Sequence, residues 1–257
     1  MKVTILGSGP SSGVPTIHDG WADCDPNNPK NKRLRPSLLI ESDDTVVLID
    51  TSPDLRQQLL NCGVRRLDSV LYTHGHADHL HGIDDLRGIN RAMNAEIPVY
   101  ADASTSQAIN QRFGYTVTPL SANANFYYKP VIKIHEITPG DTFSIGNIEF
   151  VAIDQDHGHS RTLGYRFGQM ALATDLMDMP ESSFAALSGI EVWIIGVFSY
   201  KPHMTHAHVD LALEWIKRIK PRRAILTHLG PAIDYAKLKE YLPDGVEPAY
   251  DGMIIEL

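Results

Sequence analysis

His74-Gly75-His76-Ala77-Asp78-His79 places four ligand-type side chains within six residues, directly after the apolar run Ser69-Val70-Leu71-Tyr72. Histidine and aspartate crowded together in this way pack poorly. Each is either left in water or buried with its own hydrogen-bond partner. Imidazole nitrogens and carboxylate oxygens on one short segment suit divalent ions of the zinc and manganese kind. The spacing differs from His-Glu-x-x-His, which sets its ligands one turn apart on a helix. Here the side chains are expected to fan out from a loop. Four ligands exceed what one open catalytic ion needs, so the segment points to two ions side by side.

A two-ion site needs further ligands, and three candidates stand just after strand-like runs. His157 lies in Asp154-Gln155-Asp156-His157-Gly158-His159, beyond a run ending near Ile153. Asp175 follows Ala171-Leu172-Ala173-Thr174, and His228 follows Ile225-Leu226-Thr227. Any one alone reads as an ordinary capped or solvated loop residue; beside the cluster they read as a set. Asp50, closing Val46–Ile49, is either a turn carboxylate or the acceptor that orients a ligand imidazole. His206 and His208, in Met204-Thr205-His206-Ala207-His208, stand just ahead of a helical pattern. A histidine with a near-neutral pKa suits protonation of a leaving group, and solvation at a helix start is the simpler reading of both.

The elements that must carry these residues alternate between strand and helix. Val3–Leu6 reads as a buried strand ending in the loop Gly7–Gly13. Ser37–Ile40 and Val46–Ile49 flank Ser42-Asp43-Asp44 as a hairpin. Ser52 is expected to cap a helix with Pro53 at its first position and Gly63 at its close. Ile148–Ile153, then Gly164–Phe167 and Ala171–Ala173 joined at Gly168-Gln169, read as strands. Helix His208–Ile219, strand Ala224–Thr227 and strand Met253–Ile255 follow. Early hairpins with later α/β alternation suit two facing sheets covered by helices. Trp193 and Trp215 fall in strand-like and helical patterns and are expected in the core.

At 257 residues the chain can bury a full core. With no Pro/Ser linker, low-complexity tract or repeat, residues 1–257 are expected to form a single domain. The formal charge is −8, from 23 Lys and Arg against 31 Asp and Glu, so broad nucleic-acid attraction is disfavoured. Two cysteines without a CxxC pair, no signal peptide and no apolar run of membrane-spanning length suggest a cytoplasmic protein that does not engage a membrane.

The His-x-His-x-Asp-His segment resembles the signature of the metallo-β-lactamase-fold hydrolases. Several further segments resemble the branch containing the cyclic-phosphate phosphodiesterase of phosphonate breakdown. They are Leu6–Gly9 with Gly13-Val14-Pro15, Leu48-Ile49-Asp50, His81–Arg87, Leu163–Phe167, Leu226-Thr227-His228 and Tyr250–Met253. The histidine segment is specific for the superfamily; the others are individually weak, and their shared order supports the branch. The resemblance implies an α/β fold of αββα sandwich type, two mixed sheets flanked by helices, with metals at one edge. It implies that His74, His76 and His157 hold one ion, that Asp78, His79 and His228 hold the other, and that Asp175 bridges them. His157 is preferred to His159 because the family's ligand is followed by glycine. His206 is preferred to His208 as the acid by its distance to Ala212-Leu213, and Asp78 is counted with His206 among the catalytic residues.

The implied chemistry is cleavage of a small cyclic or nucleotide-like phosphate ester by a metal-bridging hydroxide, with zinc or manganese, or else iron or nickel, as the ions. Alternatives within the fold are tRNA 3′-end processing and thioester or lactam hydrolysis; outside enzymes, a metal-binding sensor. A homodimer is suggested by analogy alone. The branch also carries a structural zinc held by N-terminal cysteines and a histidine after the last ligand. Cys24 stands alone here and Leu229-Gly230-Pro231 offers no histidine, so no such zinc is expected. The loop Gly7–Gly13 either approaches a phosphate with backbone N–H groups or is a structural turn. Lys30–Arg35 is expected to be a solvated or ion-paired run, and Asp84–Arg87 either lines the pocket mouth or forms a helix-start ion-pair network.

Overall fold

The structure, a computed structural model, describes all residues 1–257. The first half contains β1 (Lys2–Gly7), β2 (Ser37–Ser42), β3 (Thr45–Ile49), α1 (Leu55–Cys62), β4 (Ser69–Leu71), α2 (Ala77–Leu80), α3 (Leu86–Met93), β5 (Ile97–Ala101), α4 (Ala103–Phe113) and β6 (Ile132–Glu136). The second contains β7 (Thr142–Ile145), β8 (Ile148–Asp156), β9 (Arg161–Phe167), β10 (Met170–Ala173), α5 (Glu181–Ala186), β11 (Val192–Gly196), α6 (Val209–Ile219), β12 (Arg223–Thr227), α7 (Tyr235–Tyr241), β13 (Val246–Pro248) and β14 (Met253–Glu256).

These form two seven-stranded sheets, ordered β14-β1-β2-β3-β4-β5-β6 and β13-β12-β11-β10-β9-β8-β7. Each sheet is antiparallel on one side and parallel on the other: β1 to β3 run as hairpins before β3 to β6 run parallel, and β7 to β10 run as hairpins before β10 to β13 run parallel. The expected αββα sandwich is the observed one.

Period-two alternation explains why the strands are apolar almost throughout. Leu38, Ile40, Val47 and Ile49 turn one face toward Phe150, Tyr165, Phe167, Leu172, Ile194 and Ile225 of the other sheet. Leu39, Leu48 and Val70 turn the opposite way, onto Leu55 and Leu59 of α1, Leu86 and Ile89 of α3 and Ile109 of α4. On the second sheet Trp193, Ile195 and Leu226 meet Phe184 of α5, Val209, Ala212 and Trp215 of α6, and Leu238 of α7. A strand buried on both faces has no polar side to show. Both tryptophans are therefore core residues, as expected.

Local expectations need three adjustments. The first helix starts at Leu55; Ser52 shapes the preceding turn, accepting from Asp54 N at 3.2 Å and donating to Gln58 Oε1 at 2.9 Å. Gly63 does close it, at φ 66°. β8 runs to Asp156 rather than stopping near Ile153; there the buried Gln155 Nε2 donates to Thr162 Oγ1 and Thr174 O. Asp78 and His79 sit on a helical turn rather than a loop: Leu80 N bonds to His76 O at 3.0 Å and His81 N to Ala77 O at 3.0 Å.

Candidate metal centre

The carboxyl ends of the parallel strands open at one rim between the sheets, where α/β proteins place their ligands. Asp50 follows β3, the His74–His79 segment follows β4, Asp175 lies two residues beyond β10, and His228 follows β12. His157 joins them from the end of β8. Asp50, Asp175 and His228 take left-handed backbone, with φ of 63°, 54° and 57°. Such backbone strain in non-glycine residues is concentrated at functional sites.

Three overlapping groups of donor atoms result, each with its atoms within 4.8 Å of one another: His74, His76 and His157; Asp78, His79, Asp175 and His228; and, joining the first two, His157, Asp175 and His206. Asp175 lies between the first two. Its Oδ2 is 3.0 Å from His79 Nε2 and 3.5 Å from His228 Nε2, while its Oδ1 is 3.9 Å from His157 Nε2 and 3.6 Å from His206 Nδ1. Asp78 Oδ2 is 3.3 Å from His79 Nε2 and 3.7 Å from His228 Nε2. His74 Nε2 and both nitrogens of His228 are buried without a hydrogen-bond partner. Buried polar atoms are rarely left so, and a convergent set of imidazoles and carboxylates fits divalent ions of the zinc, manganese, iron or nickel kind.

Most rings are aimed from behind. His79 Nδ1 donates to Asp50 Oδ2 at 2.6 Å, and Asp50 accepts in turn from Thr73 N and Oγ1, both at 2.8 Å. Thr73 Oγ1 also lies 3.0 Å from His74 Nδ1. His157 Nδ1 donates to the Thr205 carbonyl at 2.6 Å. These contacts turn the remaining ring nitrogens toward the site. Thr73 and Thr205 were not anticipated. Thr73 adjoins His74, and a hydroxyl beside a buried carboxylate was a readable signal; the Thr205 contact is a backbone carbonyl and left no sequence trace.

Electrostatics follow the geometry. Burial disfavours charge on His79, but Asp175, Asp78 and Asp50 outweigh it and raise its pKa well above 6.5. Burial likewise opposes charge on Asp78 and Asp175, yet His79 and His228 hold both carboxyls well below the usual range. Burial pushes His74 well below 6.5. His206 packs its ring 5.0 Å from His228, 4.8 Å from His157 and 5.3 Å from Phe198. Burial, then repulsion from His228, lowers its pKa to about 3. The near-neutral value expected for an acid is thus absent from the metal-free protein.

Of the paired candidates, the structure brings in His157 and leaves His159 exposed. His206 faces Asp175, whereas His208 occupies the cap position of α6. Asp84, Asp85 and Arg87 line a separate groove of about 610 Å³ between α1 and α3, with Arg56 and Arg91. The glycine loop is structural: a Cβ on Gly7 would lie 1.9 Å from the Arg35 carbonyl, and Ser8 N donates to Asp251 rather than outward. Within the basic run Arg35 pairs with Asp54 at 2.7 Å, as expected, but Arg33 is 1% exposed and not solvated.

A helix-flanked pair of mixed sheets with this histidine- and aspartate-lined rim defines a class. The chain belongs to the β-lactamase superfamily, whose domain description matches residues 45–229. Its branch is that of the PhnP family: the solved structure of a diphosphatase of that family is 32% identical, covers 100% of this chain and 97% of its own, and superposes with a TM-score of 0.91. Among curated relatives, an octanoyltransferase of Porphyromonas gingivalis is 34% identical over 98% of this chain and 51% of its own length. A ribonuclease Z of Methanopyrus kandleri is 28% identical over 54% of this chain and 45% of its own. The chain thus spans about half the length of these curated relatives. No helix is long and apolar enough to cross a membrane.

Proposed function

We propose that the chain, as one domain over residues 1–257, is a dinuclear phosphodiesterase acting on a small cyclic or nucleotide-like phosphate ester. The observation that carries this reading is Asp175, whose two carboxylate oxygens face the His74 and Asp78 donor groups separately. His74, His76 and His157 would hold one ion, Asp78, His79 and His228 the other, and Asp175 both. Ions held there would supply a nucleophilic water near neutral pH and would neutralise charge on the phosphoryl oxygens.

The chain's own residues do the rest. Asp50 and the Thr205 carbonyl keep the His79 and His157 rings aimed. Hydrolysis breaks one P–O bond and forms another, and the departing oxygen needs a proton. His206 has Nδ1 toward Asp175, leaving Nε2 to meet the substrate. An anionic phosphate beside the ring raises its depressed pKa, so the proton is taken up with substrate and passed from Nε2 to the leaving oxygen. Two free cysteines, one of them exposed, accord with a reducing cytoplasm.

The test is hydrolysis of a phosphodiester panel that includes ribose cyclic phosphates, by metal-loaded wild type and Asp175→Ala. Turnover requiring both metal and Asp175 is the expected result. A fully metallated protein inert toward phosphodiesters would overturn the reading. Octanoyl thioesters and precursor tRNA belong in the same panel, because the relatives' names point to them. Retained metal without any turnover would leave the sensor reading.

A further inference from the structure

His228 stands apart from the other buried histidines of the centre. His74, His79 and His157 are each oriented through a ring nitrogen by Thr73, Asp50 or the Thr205 carbonyl. Neither nitrogen of His228 has a hydrogen-bond partner, and its backbone is held at φ 57°. Left-handed backbone in a non-glycine residue costs on the order of 1–3 kcal/mol and persists only where the surroundings over-determine it. The ring stacks between His206 and His79, with centroids 5.0 and 6.0 Å away, but no hydrogen bond turns it, so the rest of its placement acts through the chain on either side. Upstream is β12; downstream is the irregular segment 229–233.

That segment is anchored through Leu229 N to Ser8 O at 2.8 Å and Gly230 N to Phe198 O at 3.1 Å, and its carbonyls gather around one buried cation. Arg33 Nη1 donates to the carbonyls of Leu229 at 3.3 Å and Gly230 at 3.2 Å and approaches Cys24 Sγ at 3.8 Å. Its Nη2 donates to Ile233 O at 2.8 Å and to Asn31 Oδ1 at 3.2 Å. Asn31, fully buried, also accepts from Tyr235 N at 2.8 Å and donates to Asp234 Oδ2 at 2.6 Å. The Cys24 thiol adds contacts to Pro231 O at 3.4 Å and Ile233 O at 3.3 Å. No carboxylate forms an ion pair with Arg33, so its desolvated charge is met by the main chain just after His228. A planar fork of five donors can gather several carbonyls at once, which an ammonium cannot.

We propose that Arg33 is the positioning residue of His228: its guanidinium gathers the 229–233 carbonyls and so holds His228 in the strained backbone that points its ring into the centre. The inference rests on the reading of His228 as a metal ligand. The experiment is a calorimetric titration of metal-free wild type, Arg33→Lys and His228→Ala with zinc and with manganese, alongside thermal unfolding. His228→Ala identifies the ion that depends on His228. Arg33→Lys is expected to weaken that same ion about 10- to 100-fold while leaving the other unchanged. A residue that merely stabilised the fold would lower the melting temperature and leave both affinities as in wild type; that outcome overturns the proposal. If His228→Ala binds metal like wild type, the ligand reading itself fails and the proposal falls with it. A single wild-type equivalent would overturn only the two-ion reading, since the two variants can still be compared. Should Arg33→Lys not fold, Asn31→Ala loosens the same cage without altering the buried charge and is held to the same outcomes.

Discussion

Asp50 is 2% exposed and its carboxylate is occupied by His79 and Thr73, so its effect on the site runs through the imidazole it holds. Asp50→Ala frees the His79 ring and should weaken metal binding about 10- to 100-fold, read by competition with a chelating dye. His79 itself makes metal binding pH-dependent. With its pKa raised well above 6.5 in the metal-free protein by Asp175, Asp78 and Asp50, the ring favours its doubly protonated form. An ion taking its Nε2 must displace the proton there. Binding at pH 7 should therefore release about one proton from this residue, and affinity should rise with pH. Calorimetry in two buffers of different ionisation enthalpy measures the release; none at pH 7 would contradict the assignment.

At the scale of the element, the site depends on how closely two irregular segments meet. Gly158, directly after β8, has φ 77°, and a Cβ there would lie 2.6 Å from the Met204 carbonyl. The contact lets the loop carrying His157 lie against the segment that supplies the Thr205 carbonyl and His206. Gly158→Ala meets both an unfavourable backbone and a backbone oxygen that cannot swing aside. We expect a loss of about 1–3 kcal/mol in stability. Because the shift falls on His157, metal affinity should fall as well. Chemical denaturation and a metal titration of the same preparation separate the two effects.

At the scale of the molecule, the inter-sheet core fixes the spacing across the rim. Phe150 is fully buried between the sheets. Phe150→Ala should cost about 3–5 kcal/mol, measured by urea unfolding of the chelated protein. The metal-free protein should also show a stability optimum in pH. Asp78 and Asp175, held below the usual carboxylate range, contribute stability above about pH 3.8 that is lost as pH falls through their folded values. His79 contributes stability fully present below pH 6.5 and lost as pH rises through its raised folded value. His74 and His206, with lowered pKa values, add stability that is lost as pH falls below 6.5, so thermal unfolding across pH with chelator present should find its maximum near pH 6.5.

How much was legible divides along the range of the interactions. The donor-rich segment after β4 declared its chemistry because the residues are contiguous and of types that do not share a core. Hairpins such as β2–β3 and β9–β10 were readable because turn residues and alternation act over a few positions. α4, α5, α7, β5, β6, β7 and β13 were not anticipated, and of α3 only a helix start at Asp84–Arg87 was weighed. Distance along the chain set the harder limit. Asp175 and His228 were only plausible from sequence, and a single histidine or aspartate after a strand has many explanations. Arg33 read as solvent-facing because its partners are backbone carbonyls some 200 residues away, which have no residue-type signature. The sequence alone pointed to the kind of chemistry, through a contiguous run of ligand-type residues, and to alternating strands and helices; the αββα sandwich followed from the family resemblance those residues carry. Only the tertiary structure decided which histidines converge, that Asp175 lies between two donor groups, and that His206 is too buried to keep a near-neutral pKa, because burial, charge and distance across the rim come from the packing of the two sheets.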